Sequence, residues 1–160
     1  MIAAVRQQLG VMGKSACENT TLHGQEKGRS VNLRPSSSGE AIKIRVDGCL
    51  ITNTKRCDCL YFYQHSKSKR LAILVELKGT HYDTALEQLI ATKRHENYTQ
   101  LFDAAKPTHK FAVVIVSKNA NTNRPDKEKW ENENGIRLRV FSSENNEAIE
   151  LVEKLIKNND

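Results

Sequence analysis

Two carboxylates and an amine stand at spacings suited to hydrolysing a phosphodiester. Asp58 lies in "RCDCLYF", and Glu76 and Lys78 close the run "LAILVELKG", with seventeen residues between the two acids. If both segments are strands, alternation places Glu76 and Lys78 on one face with Ala72 and Leu74, and Asp58 on a face with Leu60 and Phe62. Pairing of those strands would gather the three charges at one edge of an otherwise apolar surface. Hard divalent cations, Mg²⁺ or Mn²⁺, take carboxylate and carbonyl oxygens, and the backbone carbonyl of Leu77 lies between the two side chains. Such an ion activates a water and offsets charge developing on the phosphate. A neighbouring ammonium orients that water or stabilises the transition state. A solvated Glu76–Lys78 pair would contribute little. The doubly apolar strand, the acid in the preceding strand and the helix that follows all favour chemistry instead.

The elements that must position these groups can be read from periodicity. "AIKIRV" alternates apolar and basic residues and predicts a half-exposed strand, which "CLI" extends beyond the Asp47-Gly48 pair. "CDCLYFY" and "LAILVELK" predict two more strands, the second buried on both faces, and Gly79 breaks it. A helix is expected over 84–98, where Leu86, Leu89, Ile90 and Lys93 recur at helical spacing. "KFAVVIVSK" predicts a central strand, the stretch from Asn119 to Gly135 a polar excursion, and "IRLRVF" a last strand. A closing helix with a Ser cap is expected over "SSENNEAIELVEKLIKN". Residues 2–12 predict a short helix, and 14–40 an irregular segment, flexible or in contact with substrate. The order α-β-β-β-α-β-β-α makes the chain, over 1–160, one α/β domain with a central mixed sheet flanked by helices.

The set Asp58, Glu76-Leu77-Lys78 resembles the signature of the PD-(D/E)xK nuclease superfamily, which includes restriction endonucleases, Holliday junction resolvases and RecB-type nuclease domains. The resemblance implies a restriction endonuclease-like αβββαβ core over roughly 41–116. It also implies metal ligation by Asp58, Glu76 and the Leu77 carbonyl, and catalysis by Lys78. Gln88 in "TALEQL" matches a helical residue that several members use. Many members add a helical glutamate before the first strand, for which Glu18, Glu26 and Glu40 are candidates. The residue before Asp58 is Cys57 where the pattern has proline. The activity implied is Mg²⁺- or Mn²⁺-dependent cleavage of nucleic acid, DNA being favoured over RNA, most simply as an endonuclease. A noncatalytic nucleic-acid-binding or accessory subunit on the same fold and a protein-interaction domain are the alternatives.

Charge agrees with a polyanionic partner. Twenty-five Lys and Arg face nineteen Asp and Glu, a formal net charge of +6. Lys43, Arg45, Lys55, Arg56, Lys67, Lys69, Arg70, Lys93 and Arg94 are candidate phosphate contacts. Asp47 is either a turn residue or a third acid beside Asp58. His81 and His95 are read as surface residues, and Tyr61, Phe62 and Tyr63 as core or interface. Trp130 is expected to anchor a loop or a subunit contact. A chain this size is expected to act as a homodimer or through a recruiting partner. It shows no membrane span and no secretory leader, so a cytoplasmic location is the expectation. Cys17, Cys49, Cys57 and Cys59 are accordingly expected as small buried hydrophobes, with Cys57 and Cys59 on one strand face.

Overall fold

The computed structural model describes residues 1–78, 81–117, 126–143 and 147–157. In chain order these form α1 (Ile2–Val11), a 3-10 turn (Ser15–Cys17), β1 (His23–Glu26), β2 (Arg29–Asn32), β3 (Glu40–Arg45), β4 (Cys59–Gln64) and β5 (Arg70–Leu77). There follow α2 (Tyr82–Arg94), α3 (Glu96–Ala105), β6 (His109–Ser117), α4 (Lys127–Asn134), β7 (Arg137–Ser143), β8 (Ala148–Glu150) and α5 (Leu151–Leu155).

The two most apolar strands take the middle of the sheet, where neither face meets water. A five-stranded sheet runs in the order β3-β4-β5-β6-β7, with β5 and β6 buried nearly end to end. β3, β4 and β5 form an antiparallel meander in the registers Ile44↔Leu60 and Cys59↔Val75. The helices α2 and α3 then carry the chain back, so β6 lies parallel to β5 with Glu76↔Val114, and β7 lies parallel to β6. On one face Ile44, Leu60, Leu74 and Val114 pack with residues of α1, α2 and α3. On the other, Tyr61, Tyr63, Val75 and Val113 pack against Val31 of β2 and Leu151 and Leu155 of α5. The chain is thus an α/β domain whose mixed sheets are flanked by helices.

Several elements differ from expectation, each for a local reason. The segment 14–40 holds the 3-10 turn and a hairpin, β1–β2, which joins β8 in a three-stranded sheet. Its strands "HGQE" and "RSVN" show almost no apolar alternation. Lys27 and Gly28 turn the chain with φ of 45° and 78°, the double positive φ of a tight hairpin turn. The helix expected over 84–98 is two helices. His95 has extended backbone, and its Nδ1 accepts from Asn97 N, which caps α3. The polar excursion contains α4, capped by Asp126 and closed by Gly135 in the left-handed region. On α4, Trp130 packs partly buried against the helix-side core. The closing helix is shorter than expected: β7 continues through Ser143, β8 follows, and the Glu150 side chain rather than a serine caps α5. "CLI" forms a turn with an isolated bridge from Asp47 to Ile51, not more strand. Gly79 and residues 118–125 and 144–146, on which other expectations fell, lie outside the described residues.

The cysteines also need correction. Cys17 and Cys49 form a disulfide. The segment after the 3-10 turn lies on β3, through the bridge Glu18↔Ile44 and the bond from Asn19 N to the Lys43 carbonyl, which brings the two cysteines together. Such bonds are characteristic of oxidising surroundings. Cys57 and Cys59 are buried thiols as expected, but they enter opposite cores, because Cys57 precedes the strand and escapes its alternation. No helix among the described residues is long and apolar enough to cross a membrane.

Candidate functional site

The end of β5 carries the predicted charges. Asp58 immediately precedes β4. Its amide donates to the Val75 carbonyl at 3.2 Å, and its Oδ2 accepts from Leu77 N at 2.6 Å, so the acid is fastened to the neighbouring strand. In a strand, a residue's N–H and C=O point to the same side. The Leu77 carbonyl therefore also faces the Asp58 side, while Lys78 N turns to the Ile115 carbonyl of β6 at 2.9 Å.

Glu76 is only 2% exposed. Its Oε1 lies 3.7 Å from Lys78 Nζ, while its Oε2 is buried with no hydrogen-bond partner. A buried carboxylate oxygen left unmet is costly unless a cation or a donor reaches it. Lys78 Nζ donates to Gln88 Oε1 at 2.9 Å, and Gln88 Nε2 donates to the Arg56 carbonyl at 2.9 Å. Gln88 thus ties the lysine of β5 to the segment leading into Asp58, using one turn of α2 as the anchor.

The acids hold their protons unusually tightly. Burial first, then the charge of Glu76 and the carboxyl of Glu26, push Asp58 up to about 8, with the Leu77 amide opposing. Burial also raises Glu76 to about 7, opposed by Lys78, reinforced by Glu26, and eased by the neighbouring Asp58 amide and carboxyl. Of the three glutamates weighed for a helical position before the first strand, Glu26 is the one beside Asp58, and it ends strand β1 rather than lying on a helix. Glu18 is occupied by Arg6 at 2.8 Å, and Glu40 lies opposite Gln64 at the far end of β3. Glu26 shares with Asp58, Arg45 and Leu77 a cleft of about 260 Å³. The signal that would have found it is the weak Lys27-Gly28 turn one residue later.

Asp47 stands beside the site, although its carboxylate serves another partner. The amides of Val46 and Asp47 both bond the Asp58 carbonyl, as in a bulge, while Asp47 Oδ1 accepts from Arg56 Nε at 2.5 Å. Asp47, Lys55, Arg56, Lys78, Thr84 and Gln88 line a second cleft of about 340 Å³, on the helix side. Lys55 is paired there with Glu87 at 2.5 Å, and Arg45 lines the first cleft. Of the remaining basic candidates, Lys43 also lines the first cleft, and the others are elsewhere. Lys43 is nearly buried, its Nζ donating to the His23 carbonyl at 2.6 Å. Lys67, Lys69 and Arg70 sit where β4 turns into β5, seven residues up the strand from Leu77, or roughly 23 Å at 3.3 Å per residue. Lys93 and Arg94 end α2, about 15–20 Å from its start. Burial raises the Cys57 thiol well above its ordinary range and Cys59 to about 12, and the two lie in opposite cores.

Compared with family models, curated proteins and solved structures, the chain matches none of them. The site is therefore weighed on its own atoms. Among the described residues no three His, Cys, Asp or Glu side chains stand in a ready metal-holding group. The orphaned Glu76 oxygen, Asp58 and the Leu77 carbonyl offer a hard-oxygen set of the kind that Mg²⁺ completes with water.

Proposed function

We propose that the protein is a divalent-metal-dependent nuclease cleaving phosphodiesters at the end of β5. The observation that carries this reading is the buried, unpartnered Oε2 of Glu76 between Asp58 and Lys78. A buried acid with its own lysine 3.7 Å away, yet with one oxygen left over, suits a second cation. The meander β3–β5, the returning helices and the parallel β6 give the order seen in the core of PD-(D/E)xK nucleases, with the first helix supplied by α1.

Asp58, Glu76 and the Leu77 carbonyl would hold Mg²⁺ or Mn²⁺, which when bound supplies Lewis-acid stabilisation of the phosphate and a more acidic water. The protein's own groups do the rest. Lys78, held by Gln88, points its ammonium toward the attacking water and the non-bridging phosphate oxygens. Water adds to phosphorus, the bond from phosphorus to the leaving oxygen breaks, and the leaving oxygen takes a proton. The products are a terminal phosphate and a free hydroxyl. Arg45 and Arg56 on the two clefts supply phosphate contacts. DNA is the substrate favoured by resemblance, and a homodimer or a recruiting partner would present the second strand.

The test incubates purified protein with supercoiled plasmid, linear duplex, branched DNA and single-stranded RNA, with and without Mg²⁺ or Mn²⁺. Metal-dependent cleavage by the wild type and loss of it in Lys78→Ala are expected. Cleavage at full rate in Lys78→Ala would refute the site. Metal binding that depends on Glu76 without cleavage of any substrate would favour the accessory-subunit alternative.

A further inference from the structure

The hairpin β1–β2 rests on two polar side chains of the main sheet that have no evident packing reason to be there. Lys43 of β3 and Tyr61 of β4 are register partners, and both face the hairpin. Lys43 is 8% exposed and Tyr61 0%. Lys43 Nζ donates to the His23 carbonyl at 2.6 Å, and Tyr61 Oη donates to the Leu22 carbonyl at 2.9 Å. Among the described residues no carboxylate lies within ion-pair distance of Lys43. A nearly buried ammonium satisfied by a carbonyl is an expensive way to fill a sheet position that leucine or methionine would fill. Gly24 follows at once. A Cβ there would come within 3.0 Å of Val31 Cγ1, 3.4 Å of Lys43 Nζ and 3.5 Å of Tyr61 Oη, so β1 lies directly on the pair.

Alternation carries this contact to the site. Gly24 and Glu26 are the inward residues of β1, with His23 and Gln25 exposed. Glu26 therefore sits two residues, or about 7 Å, further along the same face. Lys43, Gly24 and Glu26 all line the cleft that holds Asp58.

We infer that Lys43 and Tyr61 are positioning residues that clamp the start of β1 and thereby fix the Glu26 carboxylate beside Asp58. This inference rests on the metal-site reading above. Glu26 then adds negative charge and a hydrogen-bond acceptor to the metal's surroundings without needing to touch the ion.

The test measures Mn²⁺ affinity by calorimetry at pH 8, with thermal unfolding of the metal-free protein alongside. Lys43→Met keeps the volume and removes the donor. It should weaken Mn²⁺ binding about tenfold, as expected when a group orienting the metal's surroundings is lost. The sign discriminates, because removing a positive charge near a cation site would by itself tighten binding. Glu26→Gln should weaken binding to a similar degree, and Lys43→Met combined with Glu26→Gln should be no weaker than either alone. A merely structural lysine would lower the unfolding midpoint and add its loss to that of Glu26→Gln. If Lys43→Met does not fold, Tyr61→Phe replaces it in the same cycle. Unchanged or tighter binding in the clamp variants, or additive losses, would overturn the inference while Glu76→Gln still abolishes binding. If Glu76→Gln binds Mn²⁺ like the wild type, the metal-site reading itself fails.

Discussion

Raising the pH should destabilise the metal-free protein, against the usual trend for proteins rich in carboxylate ion pairs. In the unfolded chain Asp58 and Glu76 ionise near pH 4. In the fold they retain protons until about 8 and about 7 respectively, because burial disfavours both charges, Glu76 repels the charge of Asp58, and Glu26 repels that of Glu76. Between pH 4 and 8 the native state thus binds more protons than the unfolded state, and stability falls as pH rises. The contribution is complete below about pH 4 and gone above about 8. Each tenfold change in proton affinity is worth about 1.4 kcal/mol. The two acids titrate together and water reaches part of the cleft, so the expected loss from pH 5 to 8 is about 2–4 kcal/mol. For a chain of this length that is a fall in midpoint of about 5–10 °C. The assay is thermal unfolding across pH 5–8.5 in chelator, for the wild type and Asp58→Asn. Subtracting the variant removes the titration of the five histidines and of surface groups. Asp58→Asn should be the more stable protein at pH 8 and should lose most of the slope. Because a metal binds only ionised acids, excess Mn²⁺ should raise the wild-type midpoint at pH 8 and scarcely at pH 5. A wild-type midpoint that is flat, or that rises with pH relative to Asp58→Asn, would refute the account of a strained acid pair.

Lys78→Met should lower metal-dependent cleavage at least about 100-fold while Mn²⁺ binding persists, measured by single-turnover kinetics and calorimetry. Gln88→Leu, which removes the 2.9 Å bond to Lys78, should cost about tenfold in the same kinetics, a charged hydrogen bond being worth about 1.5–3 kcal/mol. Converting Cys17 and Cys49 to serine should reduce stability by about 3 kcal/mol in urea unfolding, since the bridge closes a sequence separation of 32; reductant should reproduce the loss in the wild type. Gly39→Ala places a Cβ 2.8 Å from the Tyr63 ring and should cost about 1–3 kcal/mol. It should leave Mn²⁺ affinity unchanged, because that end of the sheet is remote from Asp58.

What could be read from the sequence follows how strongly each element is encoded by burial. β5 and β6 announce themselves because both faces are buried, leaving continuous apolar runs that only a central strand explains. Alternation puts Glu76 and Lys78 on one face, but Asp58, expected on the face of Leu60 and Phe62, precedes β4 and lines the hairpin-side cleft, where its Oδ2 accepts from Leu77 N. The hairpin did not show, because β1 and β2 are held by backbone pairing and by the two donors beneath them rather than by apolar side chains. Glu26 was hidden with it. The break at His95 was hidden for a different reason: helical spacing continues past it, and only a side-chain cap separates α2 from α3. Charge alone placed the basic residues, and charge has no address. Lys43 was grouped with phosphate contacts although its alternation in "AIKIRV" put it on the face that the hairpin covers.

The strand end borders both clefts. Asp58 faces the hairpin side with Glu26 and Arg45, while Lys78 faces the helix side with Gln88 and Arg56. Glu76 lies buried between them and is coupled to both, by repulsion from Glu26 on one side and by its lysine on the other. A purely structural ion pair would use both oxygens of Glu76 and would need no acid on the opposite side. Here one oxygen is unsatisfied, and burial and Glu26 raise the cost of its charge. Burial therefore disfavours the ionised acids, and the metal proposed above would offset that cost. That imbalance is the physical reason to regard the end of "LAILVELK" as a place for chemistry rather than as a frayed strand.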